Sequence, residues 1–333
     1  MAEQEYKLSQ EQIDHFLEHG WIKLSGCFTR EQSAELQSQL WVRLGMDPND
    51  MSTWNTNNDS GRVNMPIQRY FPAASIAPKA WSGICELLGG EHRVNDAVSN
   101  WKDSFIVNVG TPAGADKYIK PQELQNWHVD GDFFAHYLDS PEQALLVIPL
   151  WSDIVPNGGG TIICPAGIPI IAKHLYEHPE GVSPRMTPRH ANPTWAPEKT
   201  LDFYIDIAKS MPDEAFVEVT GVVGDVYLLH PLMLHSASNN MLRKVRVITN
   251  PPVSVKEPFC FDREDGEYSI VERKTLRELG KERLEGWRVT GKRDRIVPDS
   301  TKIKAELKRL EDERLAKLAQ RVEVKAVEVD LKA

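Results

Sequence analysis

A series of short apolar segments separated by turn-forming residues constrains the fold of this chain most strongly. The segments have the length of strands and lie at 104–109, 144–150, 161–164, 216–219, 225–229 and 245–249. Short strands that follow two helices favour a sandwich or barrel with helices packed outside it. We therefore expect a mainly β fold with flanking helices.

The spacing of apolar residues and turns predicts one domain over residues 1–298. N-terminal helices are expected within 8–50, where Ser9 and Gln12 have the spacing of a capping box. The β-core follows at about 100–255. Its length of roughly 150 residues is enough to bury a core of its own.

The composition shifts near the C-terminal end. Residues 299–333 are predicted to form a charged helix with a frayed tail, because 302–321 is densely charged with a sparse apolar stripe. Such a helix is typical of an exposed or partner-packed element and could mediate a homodimer. A further helix is predicted at 75–88, and the proline-rich stretch 177–197 is predicted to be an insertion loop.

Charge and cysteine usage exclude several classes of protein. The chain has 39 Lys and Arg against 48 Asp and Glu, a net charge of −9, which argues against nucleic acid as a partner. Its four cysteines form no CxxC pair, so neither a zinc ribbon nor a disulfide scaffold is expected. No signal-peptide pattern or membrane-length apolar run is present. We expect a soluble, cytoplasmic protein that binds a small molecule.

The segment 126–132, Asn-Trp-His-Val-Asp-Gly-Asp, carries the clearest metal-binding pattern. In an extended segment, residues two apart project to the same face, so His128 and Asp130 could hold one cation together. A distant histidine would complete two imidazoles and one carboxylate, the facial triad that leaves three positions open on non-haem Fe(II). His235 and His230 are both candidates for this third ligand.

An arginine on the strand after the distal histidine could bind a 2-oxo acid. Two open iron positions can chelate such an acid and the third can receive O2. A guanidinium can meanwhile form a two-pronged salt bridge to the far carboxylate. Arg246 is the first candidate for this clamp, and Arg243 is the alternative.

The chain resembles the phytanoyl-CoA dioxygenase family of Fe(II)/2-oxoglutarate oxygenases over most of residues 8–252. The resemblance rests on landmarks in the family's order: the Leu-Ser-Gln-Glu-Gln opening at 8–12, His128 and Asp130, the Asn-Gly turn at 157–161, Gly224-Asp225, His235, and Arg246 eleven residues later. It implies a double-stranded β-helix, a cupin-like jelly-roll of two facing antiparallel sheets with the metal site in its mouth.

Carried over by position, the resemblance makes His128, Asp130 and His235 the iron ligands and Arg246 the 2-oxoglutarate clamp. It favours His235 over His230, and Arg246 over Arg243. Fungal members that tailor secondary metabolites also bind 2-oxoglutarate through a glutamine three residues before the first ligand and a threonine at the Asn-Gly turn. Three further contacts are implied: Gln125, Thr161 and, in the loop before the sheet, Arg69.

The resemblance implies an enzyme that uses Fe(II), 2-oxoglutarate and O2 to oxidise a C–H bond of a small molecule, with succinate and CO2 as co-products. Hydroxylation is the default outcome, while desaturation, epoxidation and cyclisation use the same metal ligands. Asp130 argues against halogenation, because halogenases of this type have a small residue there. The alternative is a cupin-like metal-binding protein or a metal-dependent isomerase, in which Arg246 would have no clear purpose.

Overall fold

The computed structural model describes residues 6–56, 58–298 and 300–330. The strands are β1 Trp21–Leu24, β2 Arg62–Asn64, β3 Tyr70–Pro72, β4 Asn100–Lys102, β5 Ile106–Asn108, β6 Leu145–Pro149, β7 Thr161–Cys164, β8 Val217–Glu218, β9 Val226–Leu229, β10 Leu234–Ala237, β11 Arg246–Ile248 and β12 Pro252–Val253. The helices are α1 Gln10–His19, α2 Arg30–Leu36, α3 Leu40–Leu44, α4 Ala73–Ile76, α5 Pro78–Leu87, α6 Ile168–Glu177, α7 Asp202–Ser210, α8 Ile270–Glu278 and α9 Ser300–Asp330.

The strands pair in antiparallel fashion and out of sequence order. A four-stranded sheet has the order β1–β9–β6–β12, two three-stranded sheets have the orders β10–β7–β8 and β11–β5–β2, and β3 pairs with β4. The central strands β6 and β9 are buried along their whole length. This pairing order brings together residues that lie far apart in the sequence, such as those of β2, β5 and β11.

Antiparallel sheets with flanking helices are present as predicted, but the fold is mixed and not mainly β, because helices hold 33% of the residues and strands 18%. Each predicted strand segment contains a strand, whereas β2, β3, β4, β10 and β12 have no counterpart among the predicted strands. The helix predicted at 75–88 is interrupted at Ala77, because the residue before a proline is pushed out of the helical region. Among the described helices, none is both long and apolar enough to cross a bilayer.

The C-terminal helix α9 differs from the prediction in its length and its surroundings. It continues to Asp330 where a frayed tail was expected, and no Gly or Pro interrupts the sequence beyond residue 321. Arg43 of α3 donates through Nε to Glu311 of α9 at 2.7 Å and through Nη1 to Asp103 at 2.9 Å. All three side chains are at most 3% exposed. Because breaking a buried ion pair costs about 3–5 kcal/mol, these contacts fix α9 to its own chain.

Candidate metal centre

Three side chains converge where the segment after Trp127 meets β10. His128 and His235 form an antiparallel bridge, in which each backbone N–H donates to the other residue's carbonyl at 3.0 Å. Asp130 Oδ1 lies 3.6 Å from His128 Nε2 and 3.7 Å from His235 Nε2. The three predicted metal ligands therefore lie together, as a group that could hold one metal ion.

Backbone carbonyls orient both imidazoles. His128 Nδ1 lies 2.7 Å from the carbonyl oxygen of Asn126, and His235 Nδ1 lies 2.9 Å from that of Met233. A neutral imidazole that donates through Nδ1 keeps the lone pair on Nε2, and Nε2 is the atom that faces Asp130 on each ring. The backbone thus selects the tautomer that a metal ion requires.

The charge states of His128 and Asp130 also suit a cation. Burial lowers the pKa of His128, and the neighbouring His235 ring lowers it further. Burial alone would raise the pKa of Asp130, but its contacts with the two imidazoles outweigh this effect and hold the pKa well below its usual range. Neutral imidazoles and an ionised carboxylate are the forms that bind metal, and this donor set of two nitrogens and one oxygen fits Fe(II).

A second group of two histidines and a carboxylate lies in the predicted insertion loop. The Nδ1 atoms of His178 and His190 lie 3.1 and 3.2 Å from Glu180 Oε1, which are hydrogen-bond distances. The His190 side chain is 69% exposed. This group is a hydrogen-bonded surface cluster, whereas the distances around Asp130 are longer than hydrogen bonds and leave room for an ion.

Arg246, in β11, is a buried cation that has no carboxylate partner among the described residues. Its side chain is 2% exposed. Nε donates to the Gly159 carbonyl at 2.8 Å and Nη1 to the Ile106 carbonyl at 3.3 Å, while Nη2 has no hydrogen bond within the described part of the chain. Burial, together with the positive charge of Arg62, lowers the pKa of Arg246 to about 9. An unpaired buried charge is costly, so an anion would complete this site.

The Asn-Gly turn brings its backbone close to Arg246. Gly159 has φ +80°, and a Cβ there would lie 2.8 Å from Cβ of Asn240 and 2.9 Å from Nδ2 of Asn108. Only glycine fits this conformation and this space without strain. The triple glycine of the turn therefore positions the carbonyl that accepts from Arg246.

Arg62 is a second arginine near this position, and the sequence pattern did not predict it. In the sheet β11–β5–β2, Arg246 and Arg62 both pair with Asn108, from opposite sides. Residues directly opposite each other in antiparallel strands project to the same face, so the three side chains form one row. Burial lowers the pKa of Arg62. Within the described residues it also has no carboxylate partner.

Thr161 and Gln125 have different surroundings. Thr161 lies in β7, is 7% exposed, and is two positions from Ile163, which pairs with His235. Because alternate residues of a strand share a face, Thr161 lies on the His235 face of this sheet. Gln125 is exposed, and its amide donates to the Glu123 carbonyl at 2.7 Å.

Arg69 and His230 are held by contacts elsewhere. Arg69 is 44% exposed, and its guanidinium donates to Asp103 at 3.3 Å and to the Leu36 carbonyl. His230 is buried, with Nε2 2.9 Å from Thr275 Oγ1. Burial and the charge of Lys274 lower the pKa of His230 to about 3, so the ring is neutral at physiological pH.

No protein-family model and no curated protein matches this chain. The solved structures that resemble it include HygX from Streptomyces hygroscopicus with nickel, 2-oxoglutarate and hygromycin B bound, at 14% identity over 77% of this chain and 90% of HygX, with a TM-score of 0.39. They also include the α-ketoglutarate-dependent carbocyclase SnoK from nogalamycin biosynthesis, at 16% identity over 74% of this chain and 84% of SnoK, with a TM-score of 0.37. A hypothetical protein from Escherichia coli matches at 14% identity over 76% of this chain and 69% of that protein, with a TM-score of 0.44. At such values the similarity assigns neither a family nor an activity to this chain.

Proposed function

We propose that this chain is an Fe(II)- and 2-oxoglutarate-dependent oxygenase of the phytanoyl-CoA dioxygenase type, which oxidises a C–H bond of a small molecule. One observation carries the proposal: a site with two oriented imidazoles and a carboxylate accompanies a buried arginine that lacks a carboxylate partner in the described chain. A metal-binding protein without a 2-oxo acid would not require such a cation. The sheets β10–β7–β8 and β11–β5–β2 would be parts of a double-stranded β-helix.

The residues of the site have separate roles in this proposal. His128, Asp130 and His235 would hold Fe(II), which when bound supplies the positions that bind the 2-oxo acid and activate O2. Arg246 would pair with the far carboxylate of 2-oxoglutarate through a charge-assisted hydrogen bond. Thr161 could add a hydroxyl donor from the His235 face. For Gln125 to reach the co-substrate, its amide would first have to release the Glu123 carbonyl.

We assign the second cation of the co-substrate site to Arg62 in place of Arg69. Arg62 lies in the row of Arg246 and Asn108 and has no carboxylate partner in the described residues. Arg69 is instead paired with Asp103, which also pairs with Arg43. 2-Oxoglutarate is a dianion, so two free cations on one sheet face suit it better than one.

Arg62→Met is therefore expected to raise the 2-oxoglutarate concentration for half-maximal turnover by about tenfold, since a hydrogen bond to a charged group contributes about 1.5–3 kcal/mol. Turnover would be measured as succinate formed by the Fe(II)-loaded chain. Arg69→Met is the matched control and should change this concentration by less than about twofold, with a loss of thermal stability instead.

If only Arg69→Met raises the requirement for 2-oxoglutarate, then Arg69, and not Arg62, contacts the co-substrate. The same assay tests the proposed class. If the unmodified chain loaded with Fe(II) forms no succinate from 2-oxoglutarate in air, the oxygenase proposal is wrong.

A further inference from the structure

A cavity of about 680 Å³ reaches Asn250, a hydrogen-bond partner of Asp130. Its lining includes Asn64, Lys102, Ile106, Asn250, Lys304 and Leu307. Asn64 and Ile106 pair in register and form the row adjacent to Arg62 and Asn108 on the same sheet face. Asn250 donates to Asp130 Oδ2 at 3.4 Å. The cavity therefore borders the sheet face that carries the arginines and reaches the hydrogen-bond partner of a proposed iron ligand, and its volume is that of a small-molecule site.

Helix α9 forms one wall of this cavity. Lys304, Ala305, Leu307 and Lys308 are lining residues that lie within two turns of one another. The wall is fixed in two places: Glu311 is buried against Arg43, and Lys308 Nζ donates to Gln68 Oε1 at 2.9 Å. This helix therefore completes a binding site on its own chain, which is a role that its charged sequence did not predict.

The charges around the cavity have one sign. Three of its lining residues are lysines and none is Asp or Glu, although the whole chain has a net charge of −9. Lys308 is neutralised by Asp312 at 2.8 Å, whereas Lys102 and Lys304 have no ion pair within the described residues. The apolar part of the lining includes Met65, Ile67, Ile106 and Leu307.

We propose that this cavity is the substrate site and that the substrate is a small carboxylic acid with an apolar body. Its carboxylate would pair with Lys102 and Lys304, its apolar part would lie against Ile106 and Leu307, and the bond to be oxidised would point towards Asn250. This proposal rests on the proposed function, because the bound acid is a substrate only if the chain is an oxygenase. Binding of the acid itself requires neither iron nor 2-oxoglutarate.

Calorimetric titration of the full chain with decanoate tests the charge preference, with 1-decanol as the neutral probe of equal chain length. Decanoate should bind at one site, and more tightly than 1-decanol. Lys304→Glu and Lys102→Glu should each weaken decanoate binding by about fivefold, as expected for a partly exposed ion pair. Lys209→Glu is the control, because this exposed lysine of α7 does not line the cavity.

A second pair of variants tests the wall. Ala305→Trp places an indole in the cavity and should abolish decanoate binding. Ala316→Trp makes the same change at an exposed position of α9 that does not line the cavity, and binding should be retained. If decanoate does not bind, if 1-decanol binds equally well, or if Ala305→Trp and Lys304→Glu behave like their controls, the proposal is overturned.

Failure of this proposal is distinguishable from failure of the proposed function. Succinate formation from 2-oxoglutarate without decanoate binding would overturn the substrate site and leave the oxygenase intact. Decanoate binding with the expected variant pattern, but without succinate formation, would support the cavity as an anion site and overturn the oxygenase.

Discussion

Asp130→Ala is expected to weaken Fe(II) binding by at least about a hundredfold and to abolish succinate formation. Replacing even the outer partners of metal ligands costs about 10–100-fold in metal affinity or activity, so loss of the ligand itself should cost at least as much. The remaining imidazoles of His128 and His235 are neutral donors, and the carboxylate is the group that supplies negative charge to the ion. Anaerobic Fe(II) titration would give the affinity, and an aerobic assay would give the turnover.

Asp132→Ala is the matched control for this variant. Asp132 lies two residues further along the same segment, is exposed, and is not part of the His128, Asp130 and His235 group. Iron binding and turnover by Asp132→Ala should be close to those of the unmodified chain. Equal losses of iron affinity and turnover in the two variants would mean that the segment tolerates no substitution. A larger loss in Asp132→Ala would mean that Asp130 is not the metal ligand.

Arg246→Met is expected to raise the 2-oxoglutarate concentration for half-maximal turnover by about a hundredfold. Removing one partner of a buried charge pair costs about 2–5 kcal/mol, and about 2.8 kcal/mol corresponds to two orders of magnitude. Affinity for Fe(II) should change by less than about threefold, because the proposed metal ligands lie outside β11. Thermal stabilisation of the protein by 2-oxoglutarate should be reduced in parallel, because it depends on the dissociation constant.

Arg243→Met provides the comparison for Arg246→Met, since Arg243 was the other arginine that the sequence allowed. Arg243 lines a separate surface cavity with Thr111 and Pro112, so its loss should leave the 2-oxoglutarate requirement unchanged. If Arg243→Met raises the 2-oxoglutarate requirement more than Arg246→Met does, then Arg243 is the residue that binds the co-substrate. An equal effect on iron and on 2-oxoglutarate in Arg246→Met would indicate that this arginine supports the fold and does not bind the co-substrate.

The pairing of His128 with Asp130 could be predicted because the information is local. Alternation along an extended segment places residues two apart on one face, whatever the rest of the fold. The spacing of the family motif favours His235 over His230. In the structure the two side chains have different surroundings. His230 is buried against Thr275, whereas His235 lies opposite His128.

Arg62 and the wall formed by α9 could not be predicted, because both depend on contacts between distant segments. Arg62 reaches the Arg246 row only through the register of β2 on β5, and a shift of one residue would turn its side chain to the other face. The family resemblance points instead to Arg69, seven residues later, which is paired with Asp103. The docking of α9 depends on Glu311, whose charged side chain the sequence places on an exposed helix and the structure buries.

In the proposed function, one site holds Fe(II) and 2-oxoglutarate together. The most direct measurement is anaerobic addition of Fe(II) and then 2-oxoglutarate to the purified chain, with visible absorption recorded after each step. We expect a weak charge-transfer band that appears only when both are present and disappears on exposure to oxygen as succinate forms. If Fe(II) binds but 2-oxoglutarate produces no band, the chain is not a 2-oxoglutarate-dependent oxygenase. A metal-binding protein or a metal-dependent isomerase is then the better description.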